Sequence, residues 1–351
     1  MRRALWVLTV FISFALVFTV PSYAKEKSHE GYLESFHELV GESGELSEKI
    51  GIEELFSEIL SAISSHGGKI GEFSAFVLGG VMLIALASLL SQHRGVQSAV
   101  TALIIAGMYG FVYELVSSTQ KALEGMSGMF FSLIPIMSGV TLAGGGVSSA
   151  GAEATAMGAV FGAVGGIFTP LLLPLVSLMF ALSVSASLGG AELRSLFSKA
   201  RSVFMWLLGI VTAVLLGAIA LQSVICSAKD SAAMRVAKYS ASGLLPVIGG
   251  TVSASLSSLA SGLSYAKSII GAEAIYVLLT LALSPLVLIL AYRLVISIAS
   301  GLLSLVGTDS SSGALFQLTF SFDALLSVYS VSLVLYIFEI VMFMKSGVAL
   351  L

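Results

Sequence analysis

The sequence predicts an all-α polytopic membrane protein of about six transmembrane helices, arranged as three hairpins with two broken or re-entrant helix pairs between them. Three observations point to that class. The 351 residues are 57% hydrophobic and only 11% charged, with a mean hydropathy of +1.01, more apolar surface than a soluble domain can hide. Long apolar runs alternate with short polar turns. Proline-marked words also recur at one offset, Pro246 lying 111 residues after Pro135 and Pro285 lying 111 after Pro174. Leu133-Ile134-Pro135-Ile136 answers Leu244-Leu245-Pro246-Val247, and Val100-Thr101-Ala102 answers Val211-Thr212-Ala213. Such self-similarity predicts an internal repeat of about 111 residues.

Arg2 and Arg3 precede an apolar run from Ala4 to Val20, and Ser22 and Ala24 place small residues before a cleavage point. Residues 1–24 therefore read as a signal peptide, with an uncleaved anchor as the alternative. Residues 25–72 form an exported acidic, amphipathic segment, with 11 acidic residues against 4 lysines. Leu46, Ile50, Ile52, Leu55, Phe56, Ile59, Leu60 and Ile63 recur at helical spacing there. That segment is either a solvated spacer or a docking helix for an exported partner.

Residues 73–351 form the polytopic domain, with repeat units of about 73–169, 170–270 and a partial 271–351. The expected spans are Phe73 to Leu90, Val96 to Val116, Phe168 to Leu188, Val203 to Cys226, Ile275 to Ser300 and Leu325 to Met344. Gly301 to Ser321 reads as a polar, glycine-serine-rich loop. Met126 to Leu142 is apolar but carries Pro135, expected to interrupt regular helix, as are Pro170 and Pro174. If the broken pairs do not cross, all three hairpin turns lie on one side of the membrane. Lys and Arg are close to evenly divided between the two sides, so they do not orient the chain.

Within the first broken pair, Gly146, Ala150, Ala154, Gly158, Gly162 and Gly166 stand four residues apart. On a helix they make a smooth stripe that admits a neighbouring backbone, and burial of that stripe is the expectation. Gly249, Ser253, Ser257 and Ser261 repeat it after Pro246. Ordinary helix packing and a gated pathway lined by broken helices both fit such stripes.

Catalytic signatures are absent: neither G-x-x-x-x-G-K-[ST] nor H-E-x-x-H occurs, and the single Cys226 makes no metal cluster. No enzymatic activity, cofactor, metal or nucleic-acid partner is expected. The remaining chemistry lies in intramembrane polar groups, which are costly in lipid and need partners. Glu114, Gln222 and Glu339 each fall towards the end of a return helix, and Arg293 is the candidate partner of Glu339. Antiparallel geometry displaces Arg293 and Glu339 towards opposite faces, which favours Glu339 meeting other groups in an inter-helix cavity.

Arg235-Val236-Ala237-Lys238-Tyr239, followed by Leu245-Pro246-Val247-Ile248-Gly249 and Ser253-Ala254-Ser255, resembles the stage III sporulation protein AE family. Leu216-Gly217 to Gln222, and Pro285 with Tyr292-Arg293, fit the same pattern. The resemblance implies a multi-pass protein of the mother-cell membrane around the engulfed forespore. It further implies a channel or secretion-like complex, with other stage III sporulation membrane proteins, ring-forming proteins, a secretion-type ATPase and a forespore-side channel protein as partners. The lipid bilayer and further copies of the chain complete the expected contacts. A stand-alone secondary transporter and a structural membrane platform are the competing readings.

Overall fold

The computed structural model describes residues 52–90, 94–143, 147–188, 191–244 and 249–345. The expected signal peptide, most of the acidic segment, Gly146 and Pro246 lie outside them. All described elements are helical: α1 (Ile52–Leu90), α2 (Arg94–Gly107), α3 (Tyr109–Ala143), α4 (Val147–Ile167), a π-helical turn (Phe168–Leu172), α5 (Leu173–Leu188), α6 (Ala191–Leu244), α7 (Gly249–Val306) and α8 (Asp309–Lys345). Six stretches are long and apolar enough to cross a membrane: Ser57–Leu90, Val96–Ala143, Met157–Ala186, Glu192–Leu221, Ser264–Val306 and Ser310–Met344. Each holds most or all of one expected span. At 1.5 Å per residue even the shortest, of 30 residues, is about 45 Å long, well beyond a hydrocarbon core of about 30 Å.

The helices are longer than the prolines and serines suggested. Pro135 lies inside α3 and Pro285 inside α7, and neither ends its helix. A membrane helix tolerates proline where nearby side chains engage the backbone it disturbs. Ser132 and Ser138 flank Pro135 and donate to Met129 O at 2.7 Å and Ile134 O at 2.8 Å, whereas the carbonyl that the missing proline N–H leaves free is that of Phe131. Pro170 does deform its helix, since it sits in the π-helical turn. α3 is continuous through Pro135, whereas the residues 111 further on, around Pro246, lie outside the described ones. α1 runs through the expected boundary at 72–73, so residues 52–72 of the amphipathic segment and the first span share one helix.

The polar loop expected over Gly301 to Ser321 is a correction. Only Gly307 and Thr308 leave the helix, with Gly307 at φ +84°, a conformation that favours glycine. The serines turn inwards: Ser300 Oγ donates to Ser312 O and Ser312 Oγ to Ser300 O, both at 3.0 Å, across the α7–α8 turn. Thr101 Oγ1 donates to Ser311 Oγ at 2.8 Å from α2. Hydroxyls satisfied by helix carbonyls and by each other carry little penalty in an apolar bundle, so composition alone misreads them as a loop.

Contacts along the helices set their directions. Gly80 lies against Ile104, Phe73 against Phe111 and Lys69 against Glu114, so α1 runs antiparallel to α2 and α3. Phe130 packs on Phe161 and Gly158 lies against Ile134, so α3 and α4 are antiparallel. The sequence from Ser300–Ser312 to Tyr329–Ala282 makes α7 and α8 antiparallel. The core is one large cluster through these helices, with a small second one of Met179, Ala186 and Phe197. Two aromatic knots mark it: Phe73 stacked on Tyr292 at 4.0 Å, and Phe130 stacked on Tyr336 at 4.4 Å.

Candidate functional site

Among the described residues, three groups of polar side chains stand out besides the hydroxyls at the α7–α8 turn. The first joins α1, α3 and α7. Lys69 Nζ donates to Glu114 Oε1 at 2.7 Å, with about half of each side chain exposed. One turn earlier, His66 Nε2 and Ser284 Oγ are 2.7 Å apart, beside Pro285. Glu114 is about half exposed, and its partner Lys69 comes from the segment read as exported.

The second place joins α7 and α8. Arg293 Nε donates to Asp323 Oδ1, with 42% and 35% of the two side chains exposed. Arg293 thus pairs with Asp323 and not with Glu339, the pairing that antiparallel displacement disfavoured. Antiparallel packing sets Arg293 opposite Asp323, whereas Glu339 lies 16 residues, about 24 Å, further along α8. Sequence reasoning missed Asp323 because it borders the serine-rich stretch taken as loop. Reading residues 309–345 as one helix would have exposed it as the nearest acid across the turn.

The third place lies at the far end of α7 and α8. Glu339 is only 2% exposed and Lys267 only 1%, and both are engaged by neighbours. The Lys267 ammonium sits 4.9 Å from the centre of the Phe343 ring, a cation–π contact one turn beyond Glu339. Gly271 makes room here, since a Cβ on it would collide with the Met344 thioether. Tyr336 completes this face: its hydroxyl lies 2.6 Å from Ser127 Oγ, and its ring stacks on Phe130. The buried Glu339 agrees with the expected inter-helix setting; Lys267 and Tyr336 were not anticipated.

The small-residue stripe divides. Ala150 is buried, and a Cβ on Gly158 would meet only Ile134 Cδ1, at 3.8 Å. Gly162 and Gly166 are exposed, with no atom within 4 Å of where a Cβ would stand. The seam of α4 that packs inside this chain is Met157, Phe161 and Val164, continued by Phe168 in the π-helical turn. Burial of the whole stripe therefore does not occur within one chain. Gln222, Arg235, Lys238 and Tyr239 all belong to α6, and their side chains lie outside the described ones. Among the described residues no three His, Cys, Asp or Glu side chains converge as metal ligands would. The arrangement has the chemistry of helix packing and charge burial.

Comparison with known proteins follows that outline. Residues 34–347 match the family described as Stage III sporulation protein AE. The protein named Stage III sporulation protein AE of Bacillus subtilis (strain 168) is 20% identical over 258 residues, which cover 72% of this chain and 64% of that protein. The chain thus spans somewhat less than two thirds of that relative's length in the match. No solved structure matches. With a family match that takes in every described helix and six helices apolar enough to span a membrane, the chain belongs to the stage III sporulation protein AE family.

Proposed function

We propose that the chain is a membrane core component of the sporulation channel, or secretion-like complex, that links mother cell and forespore and is needed for forespore development after engulfment. The observation that carries the reading is the family match over residues 34–347, which coincides with the whole helical bundle. In this reading the protein lies in the mother-cell membrane surrounding the forespore. It assembles there with other stage III sporulation membrane proteins, ring-forming proteins, a secretion-type ATPase and a forespore-side channel protein. The antiparallel contacts of α1 with α2 and of α7 with α8 support a plan of three hairpins with their turns on one side. The 111-residue repeat rests on the matched words in the sequence.

A tagged full-length chain in sporulating cells tests this. The expected result is enrichment around the engulfed forespore and co-purification with the ATPase and ring-forming proteins. Uniform distribution in vegetative membranes, with no such partners, overturns it. A structural platform is the second reading, favoured by the open face at Gly162 and Gly166. It gains if Gly162→Leu abolishes assembly while any assembled remainder passes solute normally. Solute uptake by the purified protein alone in vesicles would instead establish a stand-alone transporter.

A further inference from the structure

The first turns of α6 carry cations that the fold leaves unanswered. Arg194, Lys199 and Arg201 occupy exposed positions beside the single acid Glu192, and among the described residues none of the three meets a carboxylate. Lys69 and Arg293, by contrast, find Glu114 and Asp323. Helical spacing gathers the α6 groups. Arg194, Ser198 and Arg201 fall at i, i+4 and i+7 on one side, and Ser195, Lys199, Ser202 and Trp206 repeat that spacing on the adjoining side. The hydroxyls are free as well. Ser177, Ser183 and Ser185 of α5 donate to carbonyls of their own helix, whereas among the described residues Ser195, Ser198 and Ser202 make no hydrogen bond.

Arg201 is held in place. Its guanidinium carbon lies 3.7 Å from the centre of the Phe320 ring of α8, and Phe316 braces that ring edge-on at 5.1 Å. Stacking covers one face of the guanidinium and leaves its N–H edge free to donate. A side chain fixed in this way loses less freedom when it takes up an anion.

The surroundings identify the anion. Residues 202–228 carry no charge, and their 27 positions make about 40 Å of helix, more than a hydrocarbon core of about 30 Å. The cations therefore stand at the end of a bilayer-crossing length. Trp206, 68% exposed, follows Arg201 by little more than a turn, as tryptophans at a membrane–water interface do. Leu193, Leu196 and Val203 are exposed between the cations. A patch meeting an acidic soluble protein would leave those side chains in water, whereas a helix entering a bilayer sets its cations among phosphates and its leucines among acyl chains. We infer that the first three turns of α6 bind the phosphate of an anionic glycerophospholipid. Arg194 and Arg201 donate to the phosphate oxygens, with the Ser198 hydroxyl between them, and Lys199 adds a third positive charge. The acyl chains pass Trp206 towards the exposed Ile210 and Val214. With three cations against one acid, the site prefers an anionic headgroup to a zwitterionic one.

The chain has two tryptophans, Trp6 and Trp206, so the full-length protein with Trp6→Phe reports on Trp206 alone. It is reconstituted in vesicles of phosphatidylcholine and phosphatidylglycerol, with bromine on the acyl chains of one lipid or the other. Bromine quenches tryptophan emission on contact, so the two quenching curves give the relative occupancy of the site. Phosphatidylglycerol should be preferred by about tenfold or more, each basic residue near the surface being worth about a factor of five. Arg201→Gln should lower the preference about fivefold. Arg194→Gln touches no ring, should do the same, and serves if loss of the Phe320 contact unfolds the first variant. Lys121→Gln, which removes an exposed cation of α3, should leave the preference unchanged. So should inorganic phosphate in place of chloride at constant ionic strength. Equal quenching by the two lipids overturns the site. A loss in Lys121→Gln as large as in Arg201→Gln does so too, because the preference would then belong to the overall charge. Displacement of the brominated phosphatidylglycerol by inorganic phosphate overturns lipid as the occupant.

Discussion

The Arg293–Asp323 pair offers a quantitative test of how α7 and α8 are held in register. Two unit charges 4 Å apart attract by about 4 kcal/mol at an effective dielectric constant of 20. With 42% and 35% of the side chains exposed, screening and lost side-chain freedom reduce the net coupling to about 1–2 kcal/mol. Removing one partner also strands the other charge within an apolar span, where a charge at helix centre costs roughly 2.5 to 3.5 kcal/mol on insertion scales. Part of that cost returns because the survivor is partly exposed. Arg293→Ala and Asp323→Ala should therefore each destabilise by about 2 kcal/mol, and the double variant by only about 2 to 3 kcal/mol. The measurement is reversible unfolding of the purified protein in mixed micelles, titrated with a denaturing detergent and followed by near-ultraviolet circular dichroism. The charge-swapped pair, Arg293→Asp with Asp323→Arg, should recover at least part of the loss. If the single effects add within about 0.5 kcal/mol, the two charges are not coupled and the register argument fails. Rescue of Arg293→Glu by Glu339→Arg would refute it more sharply, because it would place Glu339 where the fold places Asp323.

Four further outcomes are expected. Tyr336→Phe keeps the ring stacked on Phe130 but loses the 2.6 Å hydrogen bond to Ser127, so it should cost about 1 kcal/mol in the same unfolding assay. Ser127→Ala on top of it should add little. Gly80→Leu drives a side chain into Ile104, whose Cγ2 would stand 2.6 Å from the new Cβ, and should destabilise by about 1–3 kcal/mol. Gly162→Leu, with open space around it, should stay within about 0.5 kcal/mol of the parent while changing association with other chains. If Gly162→Leu unfolds the isolated protein, the exposed placement of that glycine is wrong. Glu339→Leu should impair sporulation severely at normal protein level, and Glu339→Gln only partly. Full sporulation efficiency in the leucine variant would remove Glu339 from any functional account.

Much of the fold was legible because membrane insertion is governed by local composition. The six apolar stretches could be read one window at a time, and each coincides with a helix able to cross a membrane. The errors occurred where a residue type has two physical meanings. Pro135 reads as a helix breaker, yet α3 runs through it, as helices packed in a membrane bundle can. Ser300, Ser311 and Ser312 read as loop, yet they bond within the bundle and let α7 and α8 continue almost to Gly307. Gly162 and Gly166 read as a buried contact, but a stripe states only that something can approach closely, and among the described residues nothing does.

What the sequence determined by itself was the class of molecule: an all-helical chain with six stretches for the bilayer, sparing in charge. A continuous run of apolar side chains has one favourable solvent, and every backbone group in such a run must be satisfied within its own helix. Only the tertiary structure decided which polar groups meet. Lys69 with Glu114 and Arg293 with Asp323 depend on the direction and axial offset of neighbouring helices. Those are set by aromatic and small-residue contacts such as Phe73 on Tyr292 and Gly80 against Ile104. A helix in lipid gains little from burying one apolar face in preference to another, so its hydrophobic pattern does not state which face packs, and only the fit of the side chains settles it.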